Sequence, residues 1–378
     1  MITSNSLLNL YESSGIEIIS AKDCILYSKD GRQYIDFESG VWCSNLGHCH
    51  ERIGAVIHQQ CSQAIHLGYR FTHELPDRLA AGMLELLHMN GGKCVFLSSG
   101  SEAVNLAITL AREMTGRQKI LTIENSYLSA YGHGADSKTN PQVISIANDD
   151  YQALKQIDFS GLAAFIFEPG TSSGMVHFPS REFIRTIGEK AGKNKCTVIV
   201  DEVTTGFGRT GSWFGYEHYD LVPDLVATGK AMGNGYPVSA VAVSSEIAGK
   251  VEATGFRYAQ SHQNDPLGCA IALEVISILG EEDLIRKCRE SGKLFRELLD
   301  VLAEKYTQII DVRSRGLMLA VEFRQETDTG RLFSRLLDHG FVTGRKGQVL
   351  RFMPPLTIRE SDIIRLVKCM EEIVNRES

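Results

Sequence analysis

Two short apolar runs inside the stretch Thr197–Gly235 constrain this chain more than anything else in it. Thr197-Val198-Ile199-Val200 is β-branched throughout and stops at Asp201-Glu202, and Asp224-Leu225-Val226-Ala227-Thr228 stops at Gly229-Lys230. Runs this short and apolar, bounded by glycine and charge, read as strands buried on both faces. In open α/β sheets the chemistry sits just beyond the carboxyl ends of the strands. Asp201 and Lys230 are therefore expected to meet in one pocket, separated by an ordinary length for a βαβ-type crossover. An amine held there can form a Schiff base with a carbonyl, and a carboxylate beside it can keep a ring nitrogen protonated.

The same logic recurs upstream. Lys93–Leu97 reads as a buried strand, and Ser98-Ser99-Gly100-Ser101-Glu102-Ala103 follows at once, with a helix expected from Ala103 to Met114. A strand, a turn of small residues and a helix form an anion site, because free backbone N–H groups and the positive helix end face the turn. The plainer reading is a serine N-cap. A Schiff-base amine with a carboxylate for a ring nitrogen is what pyridoxal phosphate (PLP) requires, and the turn suits its phosphate. Further strands are expected at Lys119–Ile123, Ala163–Phe167 and Val238–Val243, with helices such as Arg181–Gly192 between them. Strands and helices alternating in this way give a parallel, helix-covered sheet.

The flanks read differently. Residues 1–40 suggest a short helix and then strands. Asp30-Gly31 between Ile25-Leu26-Tyr27 and Tyr34–Phe37 is a hairpin signal. Residues 41–50 read as a loop, followed by helices over Glu51–Gln63 and Leu75–Leu87. After Pro266 long amphipathic helices (268–279, 281–304) give way to short apolar runs at 309–312, 317–323 and 349–352, a helix over 331–339 and a closing helix over 358–375. That mixture suggests a separate α+β domain. The expected division is 1–45 joining the small domain, 46–270 as the large domain, and 271–378 as the small domain.

Composition narrows the class. A chain of 378 residues with 43% hydrophobic and 22% charged residues suits a globular protein of two domains. A net charge of −7 with no basic block argues against nucleic acid as a partner. No secretory signal is evident at the start, and no apolar run approaches the ~20 residues a membrane helix needs. A cytoplasmic protein is expected, and nine scattered cysteines with no C-x-x-C fit a reducing compartment. His48-Cys49-His50 invites a metal reading, but three consecutive residues do not readily aim at one ion, and no metal is expected.

Several stretches together carry a resemblance to the class-III aminotransferases (the ornithine, acetylornithine and GABA type), PLP enzymes of fold-type I. They are Asp36-Phe37 through Leu46-Gly47-His48, Ser99–Ala103, Glu168-Pro169, Asp201–Gly211, Pro223-Asp224 to Gly229-Lys230, Asp265-Pro266-Leu267, Gly316-Leu317-Met318 and Arg351–Leu356. They span nearly the whole chain in the family's order. The resemblance implies a large domain with a mostly parallel sheet and a smaller α+β domain. It implies that Lys230 carries PLP as a Schiff base and moves the proton, and that Asp201 pairs with the pyridine nitrogen. Val203 packs on one ring face and Tyr127 on the other. Glu168 and Thr204 belong to the cofactor site, and Ser99, Gly100 and Ser101 form the phosphate cup. Ser261 stands where a threonine reaches the phosphate from a neighbouring subunit, which implies a homodimer with shared active sites. Arg351 binds the substrate carboxylate, and Trp42, with Gly40 and Val41, helps line the substrate side.

This chain departs from the family pattern at four places. Thr204 stands where many members have glutamine. Tyr127 is followed by Leu128-Ser129-Ala130 instead of His-Gly-Arg. Ser173 occupies the position of a glutamate that masks the carboxylate-binding arginine in ornithine- and GABA-type members. Ser261-His262-Gln263-Asn264 replaces Thr-aromatic-Gly-Gly. Without a masking anion, Arg351 is expected to stay open to carboxylates, and the chain is not expected to be an ornithine or GABA transaminase using a glutamate switch. The expected activity is ping-pong transfer of an amino group from an amino acid or amine donor to a 2-oxo acid. The alternative is a racemase or epimerase, aminomutase or decarboxylase on the same scaffold.

Overall fold

The computed structural model describes residues 8, 10–11, 13–134 and 140–376. Most of the residues on which the expected N-terminal helix falls lie outside that set. The chain opens with strands β1 (Ile18–Lys22), β2 (Ile25–Ser28) and β3 (Gln33–Asp36). The hairpin between β2 and β3 is the one signalled by Asp30-Gly31. Gly31 sits at φ 85°, and the Ser28 N–H donates to Arg32 O at 3.0 Å to close it.

The middle of the chain supplies β4 (Lys93–Leu97), β5 (Lys119–Ile123), β6 (Val143–Ile146), β7 (Leu162–Phe167), β8 (Thr197–Asp201), β9 (Leu225–Thr228) and β10 (Ser239–Val243). They form one seven-stranded sheet in the order β4-β10-β9-β8-β7-β5-β6. Every residue of β7, β8, β9 and β10 is buried, which is why these strands read as unbroken apolar runs. Helices Gly100–Thr115 and Arg181–Lys193 are among those that cover the sheet. The second is capped by Ser180, whose hydroxyl accepts the Phe183 N–H.

The sheet is not wholly parallel. β10 runs antiparallel to both β4 and β9. The cause lies in the connection. Residues 229–238 are too few for a crossover helix, and the chain turns back through Asn234 and Gly235, both at positive φ. The short strand β6 had no strong sequence signal and emerges only as a parallel neighbour of β5.

Strands β11 (Ile309–Arg315), β12 (Met318–Phe323), β13 (Phe341–Val342), β14 (Gly344–Lys346) and β15 (Val349–Phe352) complete the chain. Four of them form an antiparallel sheet, β11-β12-β15-β14, while β13 pairs in parallel with β3, Phe341 opposite Ile35. The N-terminal strands thus share a sheet with the last hundred residues. Helices Pro266–Glu281, Leu284–Lys305, Thr329–Asp338 and Glu360–Arg376 surround these sheets, each within a few residues of its expected bounds.

The helix Leu284–Lys305 approaches the turn between β11 and β12 with no room to spare. A Cβ placed on Gly292 would fall on the backbone carbonyl of Gly316, and one on Gly316 would come within 2.5 Å of Thr210 C. Overpacking of this kind, against backbone that cannot rotate away, costs about 1–3 kcal/mol. Gly292→Ala is therefore expected to lower the unfolding free energy by that amount, read as a lower urea midpoint at unchanged slope. A midpoint equal to wild type would show that the contact is loose.

Candidate active site

The carboxyl ends of β4, β5, β7, β8 and β9 face one cavity of about 210 Å³, lined by Ser99, Gly100, Ser101, Tyr127, Leu128, Glu168, Ser172, Asp201, Val203, Thr204 and Lys230. Asp201 is the last residue of β8 and pairs in register with Ala227 of β9. It is 3% exposed, and its Oδ1 accepts the Val203 N–H at 3.0 Å. Lys230 follows β9 after Gly229 and sits at φ 45°, a left-handed conformation that non-glycine residues adopt at a cost. Its Nζ donates to Thr204 Oγ1 at 2.7 Å. The pocket predicted from two abrupt strand endings therefore forms, and Thr204 contacts the lysine directly.

Glu168 directly follows β7 and is buried beside them. Its Oε2 accepts the Tyr127 N–H at 2.8 Å, and its Oε1 accepts the Ser172 N–H at 3.1 Å and the Ser172 hydroxyl. Burial pushes the Glu168 carboxyl up to about 7. Burial, and then the Glu168 charge, push Asp201 well above the usual carboxylate range, while the Val203 N–H and Lys230 pull it down. Burial pushes the Lys230 amine down, and Asp201 and Glu168 oppose that shift. Three buried ionisable groups in one cavity thus share fewer charges than they would carry in water.

The turn after β4 is the serine N-cap expected of it, and it opens on the cavity. Ser99 is the N-cap of Gly100–Thr115, in a capping box with Glu102. The Glu102 carboxylate accepts the N–H groups of Ser98 and Ser99 at 3.0 and 2.9 Å. By helix geometry the N–H groups of Gly100 and Ser101 have no intrahelical carbonyl. Gly100 has to be glycine, because a Cβ there would lie 2.5 Å from Val203 Cγ1. These features fit PLP: a buried amine depressed by its surroundings, a buried carboxylate facing the same cavity, and a helix N-terminus open on that cavity through a glycine.

Tyr127 also lines the cavity, half exposed and with its backbone held by Glu168. Ser261 does not. It stands exposed on a turn that Asn264 pins to β4, donating its N–H to Phe96 O at 3.0 Å and accepting the Phe96 N–H at 2.9 Å. His48 and His50 diverge, His48 Nε2 bonding Asp36 at 2.7 Å and His50 lying 3.7 Å from Glu282, while Cys49 is exposed.

Trp42 lies 6% exposed between Lys230 and Arg351. The Lys230 amine and the Arg351 guanidinium each sit 4.8 Å from its ring centroid. Such contacts contribute about 0.5–2 kcal/mol each. Arg351, on β15, is not open as expected. Glu38 holds it, with Nε–Oε1 at 3.1 Å and Nη2–Oε2 at 3.1 Å. The expectation rested on Ser173 alone and overlooked an anion arriving from another segment. The signal was present as Glu38, directly after Asp36-Phe37. Ser172, four residues past Glu168, was missed as well.

A mostly parallel α/β sheet with a lysine and two carboxylates at its strand ends is the fold-type I architecture of PLP-dependent transferases. Residues 11–374 match the family described as aminotransferase class-III. The chain belongs to that family and is a PLP-dependent transaminase. It is 30% identical to an acetylornithine aminotransferase of Methanocaldococcus jannaschii, over 97% of this chain and 95% of that enzyme. It is 29% identical to one of Caldanaerobacter subterraneus, over 98% and 97%. The crystal structure of acetylornithine aminotransferase from Elizabethkingia anophelis superposes with a TM-score of 0.87 at 27% identity, covering 98% of this chain and 96% of that one. The family match speaks for transamination over racemisation, epimerisation, mutase or decarboxylase chemistry.

Glu168 accepts N–H or O–H groups on both carboxylate oxygens, so an amide in its place turns an NH₂ toward a donor. Glu168→Gln is expected to cost about 1–3 kcal/mol in chemical denaturation. Ser173→Ala, which removes a buried hydroxyl lacking a partner, is expected to be close to neutral. Equal effects from the two variants would contradict this arrangement.

Proposed function

We propose that the cavity between Asp201, Glu168 and Lys230 is where this transaminase holds PLP and moves the proton. The carrying observation is the Lys230 amine, partly buried, lowered in basicity and fixed by the Thr204 hydroxyl beside two carboxylates. When bound, PLP supplies the electron sink for the carbon that loses a proton. Lys230 Nζ would hold the cofactor, and as general base and acid it would take the proton from the substrate carbon and give it back. Asp201 would keep a positive charge on the ring nitrogen. Val203 and Tyr127 would lie against the ring, and Ser99, Gly100 and Ser101 would take the phosphate at the helix N-terminus. Glu168 holds the Tyr127 backbone and keeps a second acid next to Asp201. Arg351 receives a carboxylate of the substrate through its planar fork, with Trp42 walling that side.

The donor is an amino acid or amine and the acceptor a 2-oxo acid. The relatives named as acetylornithine aminotransferases support a donor of the ω-amino type, with 2-oxoglutarate as the first acceptor to try. We further propose a homodimer, for which the exposed turn at Ser261 supplies a surface reaching the partner's phosphate site, with no nucleic acid or membrane partner. A cytoplasmic setting is supported by nine free cysteines, and no described helix is long and apolar enough to cross a membrane. The division at residues 45 and 270 is retained as the domain proposal, supported by the β3–β13 pairing.

Lys230→Ala is expected to lose the visible absorbance of lysine-bound PLP. It should also slow single-turnover amine transfer by at least the roughly 10²–10⁴-fold that general acid–base catalysis contributes. An unchanged spectrum would reject the lysine assignment.

A further inference from the structure

Arg351 offers a substrate carboxylate the Nε–Nη2 edge of its guanidinium, and in this structure Glu38 already occupies that edge. Oε1 lies 3.1 Å and Oε2 3.3 Å from Nε, and Oε2 lies 3.1 Å from Nη2. The side chains are only 10% and 15% exposed, so this is not a solvent-screened surface pair. Two bare glycines make room for it. A Cβ on Gly344 would run into both Arg351 Nε and Glu38 Oε1, and a Cβ on Gly174 would lie 2.5 Å from Arg351 Nη1.

The backbone that carries Glu38 is unusual and rigid. Ser39, Gly40, Val41 and Trp42 all have positive φ, at 42°, 60°, 59° and 67°. A left-handed turn costs non-glycine residues about 1–2 kcal/mol each, so it persists only because its surroundings impose it. Asp36 accepts the N–H groups of Glu38 and Gly40 at 2.8 and 2.9 Å. The Ser39 hydroxyl donates to Met353 O at 2.7 Å and accepts from Arg209 Nη2 at 3.1 Å. The backbone of Glu38 is thereby fixed, and its side chain is what remains able to move. Burial pushes the Glu38 carboxyl up, and Arg351 and then the nearby Trp42 indole N–H oppose that shift.

We propose that Glu38 is a movable counter-carboxylate for Arg351. It neutralises the guanidinium while the chain binds an amine whose reacting carbon bears no carboxylate, and it yields the same fork to the carboxylate of the 2-oxo acid in the other half of the cycle. This deepens the transaminase reading and rests on it. It assigns the donor to the ω-amines by chemistry, because such a donor brings no carboxylate to Arg351 and Glu38 then keeps the buried cation paired. Ser173, where ornithine- and GABA-type members carry their masking glutamate, has no charge to do this. Here the anion comes from the N-terminal segment instead. An internal carboxylate that competes for the fork weakens any incoming carboxylate by the fraction of time the fork is free.

The test uses the PLP-loaded protein, Glu38→Gln and Glu38→Asp. The affinity for glutarate, a non-reacting dicarboxylate, is measured by calorimetry. Single-turnover rates are measured for a panel of ω-amines and for α-amino acids such as glutamate. Glu38→Gln is expected to bind glutarate about tenfold more tightly, the gain if the free fork is about one-tenth populated. It should also shift the ratio of ω-amine to α-amino-acid rates by a similar factor toward the α-amino acids. Glu38→Asp, shorter but charged, should fall between wild type and Glu38→Gln. Glutarate affinity and rate ratio both within twofold of wild type in Glu38→Gln would overturn the proposal, as would a lowered melting temperature with neither readout moved. If Glu38→Gln does not fold, a Glu38→Asp protein indistinguishable from wild type in both readouts overturns it. Failure of the wild-type protein to transfer an amino group from any donor would instead count against the transaminase reading, and the glutarate comparison would still decide the role of Glu38.

Discussion

Taking the Lys230 amine out of water next to two carboxylates is the interaction on which the rest of this structure depends. A lysine in solution is protonated and cannot attack a carbonyl. Burial favours the neutral amine, and Asp201 and Glu168 oppose that effect without cancelling it. The acids in turn are held by backbone N–H groups that a fixed fold must supply, from Val203 to Asp201 and from Tyr127 and Ser172 to Glu168. Those donors come from loops after three different strands. Only a sheet whose carboxyl ends lie side by side can bring them together.

The substrate side is tied to this centre by a second buried cation. Arg209 is fully buried and donates to Leu317 O at 3.0 Å, Pro354 O at 2.5 Å, Asn45 Oδ1 at 2.5 Å and Ser39 Oγ at 3.1 Å. Burial pushes it down to about 10. Its contacts are carbonyls and hydroxyls, and none is a carboxylate, so it stitches the loop after β8 to the N-terminal turn and to the segment after β15 by directional hydrogen bonds. Trp42 then spans the gap between Lys230 and Arg351. One framework therefore sets both the Lys230 amine and the Arg351 guanidinium, and Glu38 reaches Arg351 from the start of a left-handed turn.

Much of this was legible in the residues because it follows from local rules. Runs such as Thr197–Val200 and Ala163–Phe167 announce strands buried on both faces, and Asp201, Glu168 and Lys230 stand just past such runs. The turn Ser98–Ser101 announces a helix N-terminus by composition alone. What local patterns do not encode is reversal and long-range pairing. Val238–Val243 looks like its parallel neighbours, and only the short connection from 229 to 238 makes it antiparallel. The two-residue strand at Phe341 is defined by its partner Ile35 and carries no periodicity of its own. The Glu38–Arg351 pair joins residues far apart in sequence, and reading Ser173 by itself led to the wrong conclusion that Arg351 is unmasked.

The claim at the centre is chemical: the one lysine buried with Asp201 and Glu168 is the residue that carries the cofactor. Borohydride reduction of the PLP-loaded protein, followed by peptide mapping by mass spectrometry, tests it most directly. The account predicts one pyridoxyl group per chain, fixed on the peptide that contains Lys230. A label on any other lysine, or no fixed label at all, would contradict it.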